Sequence, residues 1–228
     1  MKNTIYLFVF FLSSLLQCHS QSDTAGVLAT LEAKLRAGTN VSTILTDINY
    51  ISIHPDSRFR DLIKNHAPDG TVSIAPVAEP GDRIKVNGLV TDDKNQPIAK
   101  ALVYLYQTDS RGWYAADAPH VLSNEGDTRH ARLFGYVKTD ANGKFVLETV
   151  KPSGYPNSDL PAHIHVHVWA TGYSNYVTEF LFDDDPRLKG DIRQRAVEQQ
   201  HLLLSKPTPA TPPFKQTFSY TLRLLRNS

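Results

Sequence analysis

Pro161-Ala162-His163-Ile164-His165-Val166-His167-Val168-Trp169 is the stretch from which the rest of the chain can be read. Three imidazoles alternate with Ile164, Val166 and Val168, and side chains of a β-strand point to opposite faces with a period of two. On a strand, His163, His165 and His167 therefore share one face, while the aliphatic residues fill a core on the other. Such a strand offers a row of nitrogen donors for a metal, and it demands neighbours of the same texture.

Those neighbours are present on both sides. Ile84 to Val90, Ala101 to Tyr106, Tyr136 to Thr139, Phe145 to Thr149, Val177 to Phe182 and Gln216 to Leu225 are short apolar or alternating runs. Asp92-Asp93-Lys94-Asn95 and Asp140-Ala141-Asn142-Gly143 supply turns between them. Together they predict a mainly β chain whose core, over residues 71–228, is an antiparallel β-sandwich. Residues 21–70 read as an N-terminal helical arm. Val27, Leu28, Leu31 and Leu35 recur at helical spacing with Gly38 as a stop, and a second helix runs from about Pro55 to Asn65. The arm's apolar stripes need a partner, either the following domain or a second subunit in a homo-oligomer. Asp191 to Leu204 reads as a C-terminal helix, Lys206 to Pro213 as an extended crossing, and residues 107–135 as a long loop of the kind that carries function.

The 228 residues carry a formal net charge of +1, with 41% hydrophobic and 21% charged residues. No basic stripe for nucleic acid stands out, so the expected partner is a small molecule or a protein. Residues 1–20 place Lys2 before an apolar run from Ile5 to Leu16 and then small and polar residues, the order of a secretory signal and too short to span a membrane comfortably. The expectation is an exported protein, periplasmic or secreted, cut near Ser20-Gln21. Cys18, the single cysteine, is discarded with the signal or bears a lipid; Gln17 stands where lipoprotein signals carry a small residue. The mature chain then has no disulfide to lean on. Asn40-Val41-Ser42 fits a glycosylation acceptor.

Two tyrosines lie upstream of the histidine strand: Tyr114 in Gly112-Trp113-Tyr114 and Tyr155 in Lys151-Pro152-Ser153-Gly154-Tyr155-Pro156. Each alone could cap a core or brace a turn. Followed by Pro161-Ala162-His163-Ile164-His165, the order resembles the intradiol ring-cleavage dioxygenases, the family of protocatechuate 3,4-dioxygenase and catechol 1,2-dioxygenase. The resemblance runs over residues 81–183 and takes in Gly88-Leu89-Val90-Thr91-Asp92, Gln107-Thr108-Asp109 and Thr139-Asp140-Ala141-Asn142-Gly143. It implies that Tyr114, Tyr155, His163 and His165 are the four protein ligands of a non-haem ferric ion. It implies a reaction of a catechol-like aromatic with O2 to a muconate-type diacid, in which Tyr155 swings away. Phenolate is a hard anionic donor suited to a trivalent cation, and free tyrosine titrates near ~10, so only a strong local charge keeps two ionised at neutral pH.

Two departures bear on catalysis. Leu160 stands where many family members carry Arg, and Glu179 where they carry Gln. Leu160 brings no cation, so carboxylated catechols are expected to turn over poorly, and an ionised Glu179 beside a dianionic substrate is unfavourable unless it is protonated or turned away. Tyr155, His167 and Glu179 are the catalytic candidates, His167 as a replacement for the lost positive charge; Arg132 and His130 in the long loop are further ones. Two other classes fit parts of the pattern. An exported, non-catalytic sandwich that binds a sugar or peptide predicts colourless protein without metal. A zinc hydrolase built on the His-x-His strand needs His167 or Glu179 as a third ligand.

Overall fold

The computed structural model describes residues 24–115, 131–198 and 202–227. It divides into two compact units, Met1–Thr39 and Asn40–Ser228. In the first, residues 24–36 form helix α1, which ends where expected, with the N–H groups of Gly38 and Thr39 donating to the carbonyls of Leu35 and Lys34. The expected signal segment 1–20, with Cys18, lies outside the described residues, as does His130. No helix among the described residues is long and apolar enough to cross a membrane.

The second unit opens with α2 (Val41–Leu45), a 3-10 turn (Ile48–Ile53) and α3 (Ser57–Asn65). Asn40, Asp47 and Asp56 cap them, each side-chain oxygen accepting the N–H two residues on. The strands follow as β1 (Thr71–Ser73), β2 (Arg83–Asp92), β3 (Leu102–Gln107), β4 (Leu133–Lys138), β5 (Lys144–Val150), β6 (His163–Trp169) and β7 (Tyr176–Phe182). After them come α4 (Gly190–Glu198), β8 (Leu202–Ser205), β9 (Thr208–Pro209) and β10 (Gln216–Leu224). They form two five-stranded sheets, β1-β5-β2-β10-β9 and β4-β3-β6-β7-β8.

The sandwich is as expected, and both of its sheets are mixed. β1 with β5, β2 with β10, and β7 with β8 pair in parallel. The C-terminal helix is shorter than its sequence suggests: it stops by Glu198, and Leu202–Ser205 becomes an edge strand beside β7. A continuous apolar run such as Leu202-Leu203-Leu204 suits either period, and here the open edge of a sheet takes it.

Ile164, Val166 and Val168 of β6 are fully buried together with Val103, Leu105, Phe145, Leu147, Phe218 and Leu222. With the aliphatics turned to the core, the histidines face outward from their sheet. The register sets their neighbours on that face. His165 lies opposite Tyr106 of β3 and Glu179 of β7, and His167 lies opposite Tyr104. Tyr104 in turn lies opposite Tyr136 of β4, their rings stacked at 4.5 Å.

Part of this aromatic face is covered by α3 and the turn before it. The buried guanidinium of Arg60 lies 3.7 Å from the centre of the Phe134 ring and donates to the Tyr104 hydroxyl and the carbonyls of His54 and Ala131. His54 stacks on Phe59 at 4.9 Å and donates from Nδ1 to the Arg132 carbonyl at 2.6 Å. Its Nε2 has no hydrogen-bond partner among the described residues. Burial first, and then the nearby arginine charges, depress the imidazole to about 4 from its ordinary 6.5. The native state thus holds His54 neutral while the unfolded chain protonates it below 6.5. Its contribution is complete above that pH and is lost as pH falls toward 4, on the order of 3 kcal/mol in total. Urea denaturation at a series of pH values should show this decline, and His54→Gln should flatten it between pH 6.5 and 4.

Candidate metal centre

Two turns deliver the tyrosines. Where β3 ends, the buried Asp109 organises the first: its Oδ1 accepts from the N–H groups of Arg111 and Trp113 at 2.9 and 3.0 Å, and its own N–H donates to the Trp113 carbonyl at 2.8 Å. Its Oδ2 accepts from the Arg111 side chain and from Arg132 Nη2, the latter at 3.0 Å. Burial pushes the Asp109 carboxyl up, yet the donors from Arg111, Trp113 and Arg132 outweigh it and hold the group below the usual carboxylate range. Arg132 also grips Glu79 with two 2.6 Å hydrogen bonds, and its backbone N–H donates to the Tyr114 carbonyl at 2.9 Å. Tyr114 is therefore held from both sides by one buried ionic cluster.

The second turn is fastened to the first. Thr108 Oγ1 donates to the Ser153 carbonyl at 2.7 Å, the Ser153 N–H to the Asp109 carbonyl at 3.1 Å, and Ser153 Oγ to the Ser110 carbonyl at 2.8 Å. Gly112 has φ +84° and lies so close to the second turn that a Cβ there would stand 2.3 Å from the Gly154 carbonyl oxygen. A Cβ on Gly154 would in turn meet the Leu160 carbonyl oxygen at 2.1 Å. Only glycine fits at either place, and the two tyrosine-bearing turns touch backbone to backbone. Arg187 Nη1 completes the support by donating to the carbonyls of Tyr155 and Leu160 at 3.0 and 3.3 Å.

The result is a convergence of four donor atoms. Tyr114 Oη lies 2.7 Å from Tyr155 Oη and 2.9 Å from His165 Nε2. Tyr155 Oη lies 3.1 Å from His163 Nε2 and 3.5 Å from His165 Nε2, and the two histidine nitrogens are 3.2 Å apart. His163 Nδ1 is 2.8 Å from the Pro161 carbonyl, which can only accept, so the proton sits on Nδ1 and the Nε2 lone pair faces the group. His165 stacks on Tyr106 at 4.4 Å and 12°, and its Nδ1 lies 3.3 Å from the Glu179 carboxylate. Burial first, and then the neighbouring Tyr155, raise Tyr114 above the ordinary tyrosine value. The protein alone keeps that phenol neutral, so a cation amid the four atoms is what would ionise it. Two oxygens and two nitrogens aimed at one point are a donor set suited to iron.

All four donors expected from the sequence are brought together. Glu179 is turned toward the His165 imidazole. His167 lies farther along the strand, with ring centroids 5.9 Å from both Tyr104 and Trp169, and burial lowers its pKa, which works against the positive charge expected of it. Arg132 is engaged with Glu79 and Asp109 and braces Tyr114 through its backbone. Tyr106, Asp109, Glu79 and Arg187 were not singled out as site residues by their sequence context; of these, Asp109 was part of the family-like segment. A cleft of about 650 Å³ opens beside the donors. Tyr155, His163, His165 and Glu179 line one part of it and Leu160, Leu181, Ile192, Arg195, Ala196 and Leu202 another; Tyr114 does not line it.

A sequence model of the family described as "Dioxygenase" matches residues 61–225. The chain belongs to that family. The chain is 31% identical to the protocatechuate 3,4-dioxygenase beta chain of Burkholderia cepacia over 140 residues, 58% of this chain and 54% of the relative. It is 26% identical to catechol 1,2-dioxygenase 1 of Acinetobacter lwoffii over 144 residues, 56% and 44% of the two. The chain spans about half the length of the curated relatives it matches. In fold it is similar to the dioxygenase domain of a dioxygenase carbohydrate-binding protein fusion from Streptomyces sp. SirexAA-E, with a TM-score of 0.51 at 24% identity over 71% of this chain and 90% of that one. The resemblance to intradiol ring-cleavage dioxygenases is thereby borne out, and membership of the family implies non-haem iron.

Because the two tyrosine-bearing turns meet at Gly112, Gly112→Ala should part them and lower the metal bound per chain while far-ultraviolet circular dichroism keeps its sandwich signal. Asp109→Ala, which strips the first turn of its central acceptor, should weaken metal affinity roughly 10- to 100-fold and cost about 3 kcal/mol of stability. Metal titration and urea denaturation measure the two.

Proposed function

We propose that this chain is an exported Fe(III)-dependent dioxygenase that opens a catechol-type ring between its two hydroxylated carbons, with Tyr114, Tyr155, His163 and His165 holding the ion. The observation that carries this reading is the meeting of two phenol oxygens and two imidazole nitrogens, each 2.7–3.5 Å from at least two of the others, beside an open cleft. The names of the relatives, which are protocatechuate and catechol dioxygenases, support it. Export rests on the order of residues 2–20 alone.

When bound, a ferric ion supplies Lewis acidity that draws electron density from a chelated catecholate and opens the ring to dioxygen. The phenolates of Tyr114 and Tyr155 would offset two of its three charges. A catechol must shed two protons to bind through both oxygens, and the Tyr155 phenolate would be a base for one of them. Tyr155 lines the cleft and Tyr114 does not, which makes Tyr155 the residue placed to give way and receive a proton at its phenol oxygen. Tyr114 stays, backed by Arg132 and Asp109. The Pro161 carbonyl keeps the His163 lone pair aimed, and the Glu179 carboxylate, 3.3 Å from His165 Nδ1, orients that ring. One ring carbon–carbon bond breaks, both oxygen atoms enter the diacid, and dioxygen is the only oxidant, with no external reductant consumed.

Tyrosinate bound to ferric iron absorbs visible light, so the iron-loaded protein should be coloured and should consume oxygen with catechol. Tyr114→Phe should lose the visible band without unfolding, and its oxygen uptake should fall to background. A variant that keeps the full band would remove Tyr114 from the ligand set, and colourless, metal-free protein would favour the binding-module reading.

A further inference from the structure

We infer that the aromatic taken by this dioxygenase carries a bulky, uncharged, apolar substituent on its catechol ring, seated against Leu160, Leu181, Ile192, Ala196 and Leu202. The inference rests on the ring-cleavage reading above and assigns its substrate class. The first ground is size. The cleft beside the donors measures about 650 Å³, in the range of pockets that enclose ligands of several rings rather than one. A bare catechol chelated at the Tyr155 and histidine end leaves most of it vacant.

The second ground is the chemistry of the wall. Leu181 and Ala196 are each 3% exposed and belong to a small apolar cluster, against which the partly exposed Ile192 and Leu202 pack. Leu160 lines the same cleft, which the donor-bearing Tyr155, His163 and His165 also line. It is 47% exposed, yet its backbone is pinned, with the N–H donating to Ser158 Oγ and the carbonyl accepting from Arg187. A lone exposed leucine needs no explanation, but one that shares a cleft with four other aliphatics marks a contact surface.

The third ground is charge. Asp159 and Glu179 line the cleft near Leu160 and the donors, and both oppose an anionic substituent. One cation, Arg195 on α4, also lines the cleft, and two carboxylates against one guanidinium leave the lining acidic on balance. What remains favourable at the cleft's apolar wall is neutral bulk.

The test measures oxygen uptake by the iron-loaded full chain with catechol, 4-tert-butylcatechol and protocatechuate. The expected result is a kcat/KM for 4-tert-butylcatechol about tenfold or more above that for catechol, and for protocatechuate below it. Ile192→Asp should lower the tert-butyl-to-catechol ratio roughly tenfold, mostly through KM; Ile192→Ala should move it the same way by less and serves if the aspartate variant does not fold. Leu160→Arg should raise the relative rate of protocatechuate. If catechol is opened but the tert-butyl ratio stays near one and neither Ile192 variant moves it, or if protocatechuate is preferred, the apolar seat is wrong and the ring-cleavage reading stands. If no catechol is consumed and the iron-loaded protein shows no visible band, that reading fails and takes this inference with it.

Discussion

Two phenols and two imidazoles are forced to face one another in a nearly dry place, and the surroundings make sense as the means of tolerating that arrangement. Burial and mutual repulsion oppose the ionisation of Tyr114. Hydrogen bonds among the four groups satisfy them while they are neutral, and a cation between them would reverse the electrostatic preference. Each donor is held by the backbone hydrogen bonds of its strand or turn.

Placement comes from two rigid sources. The imidazoles stand on a central strand whose opposite face is locked into the sandwich by Ile164, Val166 and Val168, so neither can rotate away without disturbing the core. The phenols stand on loops, which ordinarily position side chains less well. Here the loops are stiffened by the buried Glu79–Arg132–Asp109 cluster and by the contact at Gly112 and Gly154. A buried ionic group held by several donors adds little to net stability, but it fixes one backbone arrangement over others.

The sandwich and the four converging residues were legible because both depend on local pattern. Alternation from His163 to Val168 sets the face of each side chain, and the ordered tyrosine, tyrosine and histidine segments bring their own family likeness. The remainder depends on register and on distant partners. That Tyr106 stacks on His165 and Glu179 flanks it follows from strand pairing, which sequence spacing does not fix. Arg132 read as a loop cation free to serve the site, because nothing local announces that Glu79, far back in the chain, claims it. Leu202–Ser205 joined the predicted helix for a related reason: an apolar run carries no period, and only the vacant edge beside β7 decides it.

The backbone weld between the tyrosine-bearing turns also limits how ligand exchange can happen. With Gly112 against the Gly154 carbonyl and Ser153 stitched to Ser110 and Asp109, neither loop can lift independently. If Tyr155 gives way to substrate as proposed, its oxygen would leave by rotation about side-chain bonds into the cleft, a torsional event far faster than loop opening.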